Sequence, residues 1–237
     1  MKPSLVRLLT LYSLLLMASS ISNADAETFP FLPFTAQYSG EAKGMSFDNL
    51  GSRKLVDLGN QRYRMEYTAE AMVYKIEESS VFDWHASGPV PIQYQSKRGT
   101  LFKKRKSSMW FDWENNQINF TNKKDKGVLP LTEGIQDPLT SPLLLALAMQ
   151  SDKSEIEFTE ALGHKTKNRR FELIGKSRIK TQLGELPVYH LKRMHDDPNR
   201  ETEIWLHEEH PYIPVKVKSV DDGDQFILEL TGFTIGK

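Results

Sequence analysis

The stretch from Arg62 to Val73 constrains the fold more than any other part of the chain. Tyr63, Met65, Tyr67, Ala69, Ala71 and Val73 alternate there with Arg62, Arg64, Glu66, Thr68 and Glu70. Successive side chains of a strand point to opposite faces, so this alternation reads as one long strand with a buried face and a wet face. Its length, about twice that of a usual strand, points to a strongly curved sheet or a barrel whose tilted strands cross the whole domain. Similar signals recur from Phe34 to Gly44, Arg53 to Leu58, Ser79 to Ala86, Ile92 to Arg98, Ser107 to Trp113 and Gln117 to Thr121. They continue from Ile156 to Leu162, Arg170 to Ile174, Leu186 to Lys192, Thr202 to His207, Ile213 to Val220 and Phe226 to Phe233. Turn residues separate them at Gly59-Asn60, Gly88-Pro89, Asn115-Asn116 and Asp222-Gly223, the last with the chemistry of a tight hairpin. About a dozen strands with short punctuation predict an antiparallel meander, sandwich or barrel and not a parallel sheet with crossover helices.

One segment departs from this period. Ser141-Pro142 leads into Leu143-Leu144-Leu145-Ala146-Leu147-Ala148-Met149, with Ser141 suited to cap a helix and Pro142 suited to its first position. A helix is expected from Pro142 to about Gln150. Being apolar on nearly every side, it should be buried, either as an ordinary core helix across the sheet or as a lid over a lipid pocket.

The N-terminal residues have the layout of a secretory signal: basic Lys2 and Arg7, an apolar run from Leu8 to Met17, and small residues up to Ala24-Asp25-Ala26. Cleavage after Ala26 is expected, leaving 27–237 as a single β-rich domain in the periplasm. The sequence has no cysteine, so no lipid-bearing thiol, disulfide framework or thiolate metal site is expected. Without Lys2, Arg7 and Asp25 the 31 basic and 31 acidic residues become 29 and 30, a net charge of −1. That balance gives no general pull toward nucleic acid. Beyond the signal no apolar run of about 20 residues suggests a transmembrane helix.

Motifs that carry chemistry are scarce. His207-Glu208-Glu209-His210 spaces its histidines three apart, where a helical zinc motif needs them four apart. Asp221-Asp222-Gly223-Asp224 lacks the rest of a calcium loop and reads as a turn. Nucleophile elbows, phosphate loops and dinucleotide fingerprints do not occur, so no catalytic residue, metal site or cofactor is assigned. The densest basic and aromatic stretch runs from Lys97-Arg98 through Lys103-Lys104-Arg105-Lys106 to Trp110-Phe111-Asp112-Trp113. It suits contact with anionic head groups or an acidic glycan, and equally a hairpin with a protective lysine-rich edge.

Three stretches together carry a family resemblance: Trp110-Phe111-Asp112-Trp113; Gln136-Asp137-Pro138-Leu139-Thr140-Ser141-Pro142 before the apolar helix; and Thr202-Glu203-Ile204-Trp205-Leu206 followed by Pro211-Tyr212-Ile213-Pro214-Val215-Lys216-Val217. Thr181 and Leu183-Gly184-Glu185 before Val188-Tyr189-His190 fit the same pattern. The chain resembles the DUF3108 family of exported bacterial proteins from about Phe34 to Phe233. The resemblance implies an envelope location and a β-rich fold, and no activity.

The expected fold is therefore mainly β: an antiparallel barrel or strongly curved sheet, lipocalin-like or half-open, with one short apolar helix at one end or in the concave face. The expected function is non-catalytic binding of a lipid, another amphipathic envelope molecule or a glycan in the concavity. Tyr63, Met65, Tyr67, Trp84 and Trp113 would line it, and Leu143 and Leu147 would close it. Two alternatives stay open. One is an envelope scaffold or assembly partner without a ligand cavity, contacting another envelope protein through Lys103, Lys104, Arg105 and Lys106. The other is a polysaccharide or peptide hydrolase, for which the sequence offers no pair of catalytic groups to name.

Overall fold

The computed structural model describes residues 30–42, 44–100, 102–151 and 153–236; the signal assigned to 1–26 lies outside them. The strands are β1 (Phe34–Ala42), β2 (Met45–Asp57), β3 (Arg62–Ala71), β4 (Tyr74–His85), β5 (Gly88–Gly99), β6 (Lys104–Asp112), β7 (Gln117–Asn122) and β8 (Lys126–Pro130). Helix α1 (Ser141–Gln150) follows, then β9 (Glu155–Ala161), β10 (Thr166–Thr181), β11 (Gly184–Met194), β12 (Arg200–His207), β13 (Pro214–Asp221) and β14 (Asp224–Ile235). All fourteen strands form one antiparallel sheet in the order β8-β7-β6-β5-β4-β3-β2-β1-β14-β13-β12-β11-β10-β9. Each arm is a simple meander, and the arms join where β1 pairs with β14, Phe34 opposite Ile235 and Ala42 opposite Phe226.

The sheet curls without closing, so β8 and β9 remain its two edges. Register shifts between Tyr38 and Gly40, Val81 and Phe82, and Leu173 and Gly175 insert extra residues that bend the strands inward. At Asp222 and Gly223 the backbone takes φ of 51° and 84°, the left-handed pair that a two-residue hairpin turn requires. Gly51 serves a different need: a Cβ there would lie 2.2 Å from the Thr68 carbonyl oxygen across the β2–β3 ladder.

The alternation read from Arg62 to Val73 puts Tyr63, Met65 and Ala69 in the interior, as expected, but the strand ends at Ala71, and Val73, expected on the same face, is exposed in the turn that follows. The inward neighbours of the buried three are Leu55 on β2 and Ser80 and Phe82 on β4. Helix α1 lies between the two arms. Leu143 and Ala146 join the large core, which takes Phe34, Phe82 and Trp84 from the first arm and Val188, Val215 and Leu230 from the second, while Leu145, Ala148 and Met149 join Ile156, Phe171, Leu191 and Leu206 from β9–β12. A helix gripped from both sides keeps only a narrow, partly open stripe at Leu144, Leu147 and Gln150, which explains its nearly uniform apolar sequence.

The connection from β8 to α1 stitches the arms together. Gln136 bridges to β9 through its N–H on the Thr159 carbonyl at 2.9 Å and its own carbonyl on Ala161 N–H at 2.8 Å, while its side-chain amide donates to the Pro89 carbonyl of β5 at 3.0 Å. The fully buried Asp137 accepts N–H bonds from Leu139 and Thr140, at 2.8 Å and 3.1 Å, and its other oxygen lies 2.5 Å from the Ser80 hydroxyl of β4. Burial pushes this carboxyl up to about 6, against the pull of those donors. From β2, the buried Arg53 guanidinium donates to the Leu139 carbonyl at 3.2 Å, and its burial lowers its basicity while Tyr38, Tyr67, Asp137 and Glu78 act against that.

Several sequence expectations need correction in detail. The residue at the helix N-cap is Thr140, with no side-chain cap bond, and Pro142 is the second helical residue. Ser141 instead donates its hydroxyl to Glu160 at 3.0 Å, and Glu160 in turn holds Arg169 at 2.6 Å. The first N–H groups of the helix are met by the backbone of the linker instead, Ser141 N–H by the Asp137 carbonyl at 3.0 Å and Leu143 N–H by the Thr140 carbonyl at 2.9 Å. The strand from Lys126 to Pro130 has no counterpart among the expected ones, and β10 runs from Thr166 to Thr181 where the alternation predicts a much shorter strand.

Candidate functional site

Because inward positions alternate along each strand, the concave face can be followed from its filled end to its open one. On β5 the inward series ends Tyr94, Ser96, Arg98; on β6 it begins Arg105, Ser107, Met109, with Arg98 opposite Arg105 and Tyr94 opposite Met109. Apolar residues give way to polar ones toward the ends of these strands. A cleft of about 830 Å³ opens there. Tyr94, Arg98, Arg105, Ser107 and Asn122 form one wall, and Leu162, Gly163 and His164 of the β9–β10 loop form the other. Met109 and Pro138 also line it, and the Gly163 N–H donates to the Met109 sulfur at 3.2 Å, tying the two walls across the gap between the arms.

The electrostatics of this cleft are one-sided. Arg98 is held by Glu78, whose carboxylate accepts its Nε at 2.7 Å and the Ser96 hydroxyl at 3.3 Å. Burial works against the Arg98 charge, but Glu78 and Tyr94 together outweigh it and keep the guanidinium above its ordinary value. The Tyr94 phenol is pushed far above its usual range by burial, with Glu78 adding to the effect. Arg105, Lys106, Lys123 and Lys124 also line the cleft, and Asp125 lines it with them. None of these four cations makes an ion pair among the described residues. Four unneutralised cations and a tyrosine around a concavity suit an anionic group.

Two other concavities differ in character. At the opposite end of the gap, about 590 Å³ is lined by Trp113, His85, Gln136, Glu133, Glu157 and Phe158, among others. On the outer face a groove of about 890 Å³ contains Lys104, Lys106 and Lys97, with Glu66 and Glu77 beside them. There Glu77 pairs with both Lys75 and Lys97, at 2.9 Å and 2.8 Å, while Lys104 and Lys106 have no ion pair among the described residues.

The seven lining residues expected from sequence do not meet in one cavity. Tyr63, Met65, Trp84 and Leu143 are core: Tyr63 stacks on Phe82 and Trp84 meets the Phe31 ring edge-on. Tyr67 is half-buried beside Arg53 and Glu78, its phenol raised chiefly by burial. Trp113 lines the opposite cleft and donates Nε1–H to the Pro91 carbonyl at 2.8 Å, and Leu147 packs against the start of β5 at Gly88. Of the four expected partner contacts, Lys103 lies in the β5–β6 loop, Lys104 and Lys106 reach the outer groove, and Arg105 faces inward. Lys106, at the rim, also borders the inner cleft. Sequence reasoning missed Glu78, Tyr94, Ser96, Arg98, Lys123 and Lys124. Their signal was available on β5, where the inward parity that begins with buried Tyr94 continues into Ser96 and Arg98.

The His207–His210 segment is used by the fold. His207 Nδ1 accepts N–H bonds from Glu209 and His210, at 3.2 Å and 3.3 Å, and its ring packs on Phe233. Among the described residues no group of three or more His, Cys, Asp or Glu is placed to hold a metal ion.

The model of the family described as "Protein of unknown function (DUF3108)" matches residues 55–231, most of the chain. The protein belongs to the DUF3108 family. The Gln136–Pro142 run that carried the resemblance is thus, in this DUF3108 member, the buried stitch between the arms. No curated protein matches the sequence. Among solved structures, this chain is similar to a β-barrel-like protein of the domain of unknown function DUF1849 from Brucella abortus, with a TM-score of 0.58 and 10% identity over 87% of this chain and 99% of that one. At that identity the likeness concerns the fold alone.

Proposed function

We propose that this DUF3108 protein is an exported, non-catalytic binding protein of the periplasm. Its ligand is an envelope molecule with an anionic head, either the polar end of an amphipathic lipid or a short acidic glycan, held in the cleft between β4–β7 and the β9–β10 loop. The observation that carries this reading is the contrast within one concave face. Most of that face is filled by α1 and aromatic side chains, while its open end keeps about 830 Å³ with Arg105, Lys106, Lys123 and Lys124 unpaired. All four are exposed, so water carries their charges in the isolated protein, and an anion entering the cleft adds charge-assisted hydrogen bonds and relieves their mutual repulsion. Tyr94, Met109 and Leu162 supply the apolar contacts that a sugar ring or the start of an acyl chain needs. The basic, apolar and small-residue order up to Ala26 supports export.

Native mass spectrometry of the protein recovered gently from its own cells, followed by organic extraction, tests the reading. The expected result is a reproducible added mass from a lipid or acidic glycan, at least ten-fold less abundant in a folded Arg105→Glu variant. A clean unliganded mass across growth conditions, or an adduct indifferent to Arg105→Glu, overturns it.

A further inference from the structure

An antiparallel meander places alternate hairpins at the same end of its sheet, and here the turns β1–β2, β3–β4, β5–β6 and β7–β8 share the end at which the cleft opens. Their closing pairs are Ala42 with Met45, Ala71 with Tyr74, Gly99 with Lys104 and Thr121 with Lys126. Tips of this kind usually carry polar residues and glycine. These carry exposed apolar ones instead: Met72 (76% exposed) and Val73 (68%) on β3–β4, Phe102 (99%) on β5–β6, and Met45 at the start of β2. Met72 even takes φ of 56°, a conformation that favours glycine or asparagine. A side chain at the apex of a two-residue turn cannot be covered by its own strands, and several such apolar tips gathered at one end of the sheet mark a contact surface.

Around these tips stand Lys103, Lys104, Arg105 and Lys106 on one hairpin and Lys123, Lys124 and Lys126 on another, none in an ion pair among the described residues. Elsewhere cations are matched across strands, as in Arg62 with Asp83 and Lys216 with Glu229. On the other arm, the same end of the sheet carries Asp196 and Asp197 before β12 and Asp221, Asp222 and Asp224 at the β13–β14 turn, with Arg200 pairing with Asp197 and Asp221, so the sector stays acidic on balance. The rim is therefore divided into a basic, apolar-tipped sector and an acidic sector.

We infer that the β1–β8 sector of this rim docks on an anionic lipid bilayer, inserting Met72, Val73 and Phe102 among the head groups and bringing the mouth of the cleft to the membrane surface. Separate apolar tips on independent turns fit a fluid apolar phase, which needs no preformed complement, and the unpaired lysines match its negative head groups. The acidic sector is repelled, so the protein stands tilted, β5–β8 down. Because Tyr74, Lys123 and Lys124 belong to both the tips and the cleft lining, an amphipathic molecule could pass between bilayer and cleft without crossing water. The docking stands independently of whether the cleft is filled.

Vesicle flotation tests this, using protein recovered from its own cells with phosphatidylglycerol–phosphatidylcholine or phosphatidylcholine vesicles. Binding is expected only to the anionic vesicles, falling as salt rises from about 50 to about 500 mM. The double variant Met72→Asn with Phe102→Ser is the decisive one, because asparagine suits the left-handed turn and the variant should fold at least as well. Its partitioning is expected to drop at least ten-fold, and that of Lys103→Gln with Lys123→Gln on the order of 20-fold, each cation near an anionic surface contributing roughly five-fold. No flotation overturns the inference. So does flotation unchanged in Met72→Asn/Phe102→Ser, which would mean electrostatic adhesion without insertion, and so does capture of a soluble acidic protein in preference to vesicles.

Discussion

Replacing Asp137 by asparagine tests the stitch between the arms. The carboxyl sits at about 6 in the fold against 3.8 when unfolded, so the folded state holds its proton through a window in which the unfolded state has already released it. Folding then takes up a proton between about pH 4 and pH 6, and stability falls as pH rises through that window. Two pH units at 1.36 kcal/mol each make this roughly 3 kcal/mol, fully lost above the folded value. Asparagine reproduces the protonated acid: its oxygen accepts the Leu139 and Thr140 N–H groups and its NH2 donates to the Ser80 hydroxyl, at any pH. Urea unfolding followed by tryptophan fluorescence at pH 4, 5, 6 and 7 should therefore show the two proteins nearly equal at pH 4, and the asparagine variant ahead by roughly 3 kcal/mol at pH 7. Parallel profiles, or a wild-type protein that gains on the variant as pH rises, would refute the reasoning. Either would mean that three donors outweigh burial and keep Asp137 ionised.

Leu143→Ala should cost about 2–5 kcal/mol in the same urea assay, since its side chain is wholly enclosed, and Leu147→Ala clearly less because its side chain is partly open. Equal costs would contradict the placement of α1 between the arms. Gly51→Ala should lower Tm and weaken hydrogen-exchange protection in β2 and β3 in particular, because its methyl group would strike the Thr68 carbonyl. A neutral result would contradict the close approach of those strands.

Much of the architecture was legible because period-two alternation is a direct record of which face is dry. Parity alone assigns Tyr63, Met65 and Ala69 inward, and an all-apolar α1 belongs in a site enclosed on nearly every side. Strand Lys126–Pro130 escaped because an edge strand needs only one neighbour, and its Lys126 and Pro130 are the residues that keep such edges from pairing further. The cleft was harder to read for a different reason. Arg98, Arg105 and Lys124 are far apart in sequence from His164, and what brings them to it is the curl of the whole sheet, which bulges such as that at Val81 and Phe82 set together. The aromatic residues chosen as lining failed to converge because alternation tells inside from outside without telling filled from empty. Trp84 and Met65 lie inside, and α1 with its neighbours takes up the space they were expected to frame.

The pairing of β1 with β14 sets the order in which the molecule can be completed. Every other ladder in the sheet joins strands that are neighbours in sequence and can form as soon as both have been made. Strand β1 finds β2 at once, but its second edge stays open until the last residues of the chain arrive. A ribosome or translocation pore that still holds Asp224–Ile235 therefore holds a half-built sheet with two exposed seams. Loss of that final strand alone would leave both β1 and β13 as sticky edges for other chains. The sheet is thus completed only when β14 has been made, and until then β1 keeps an unpaired edge.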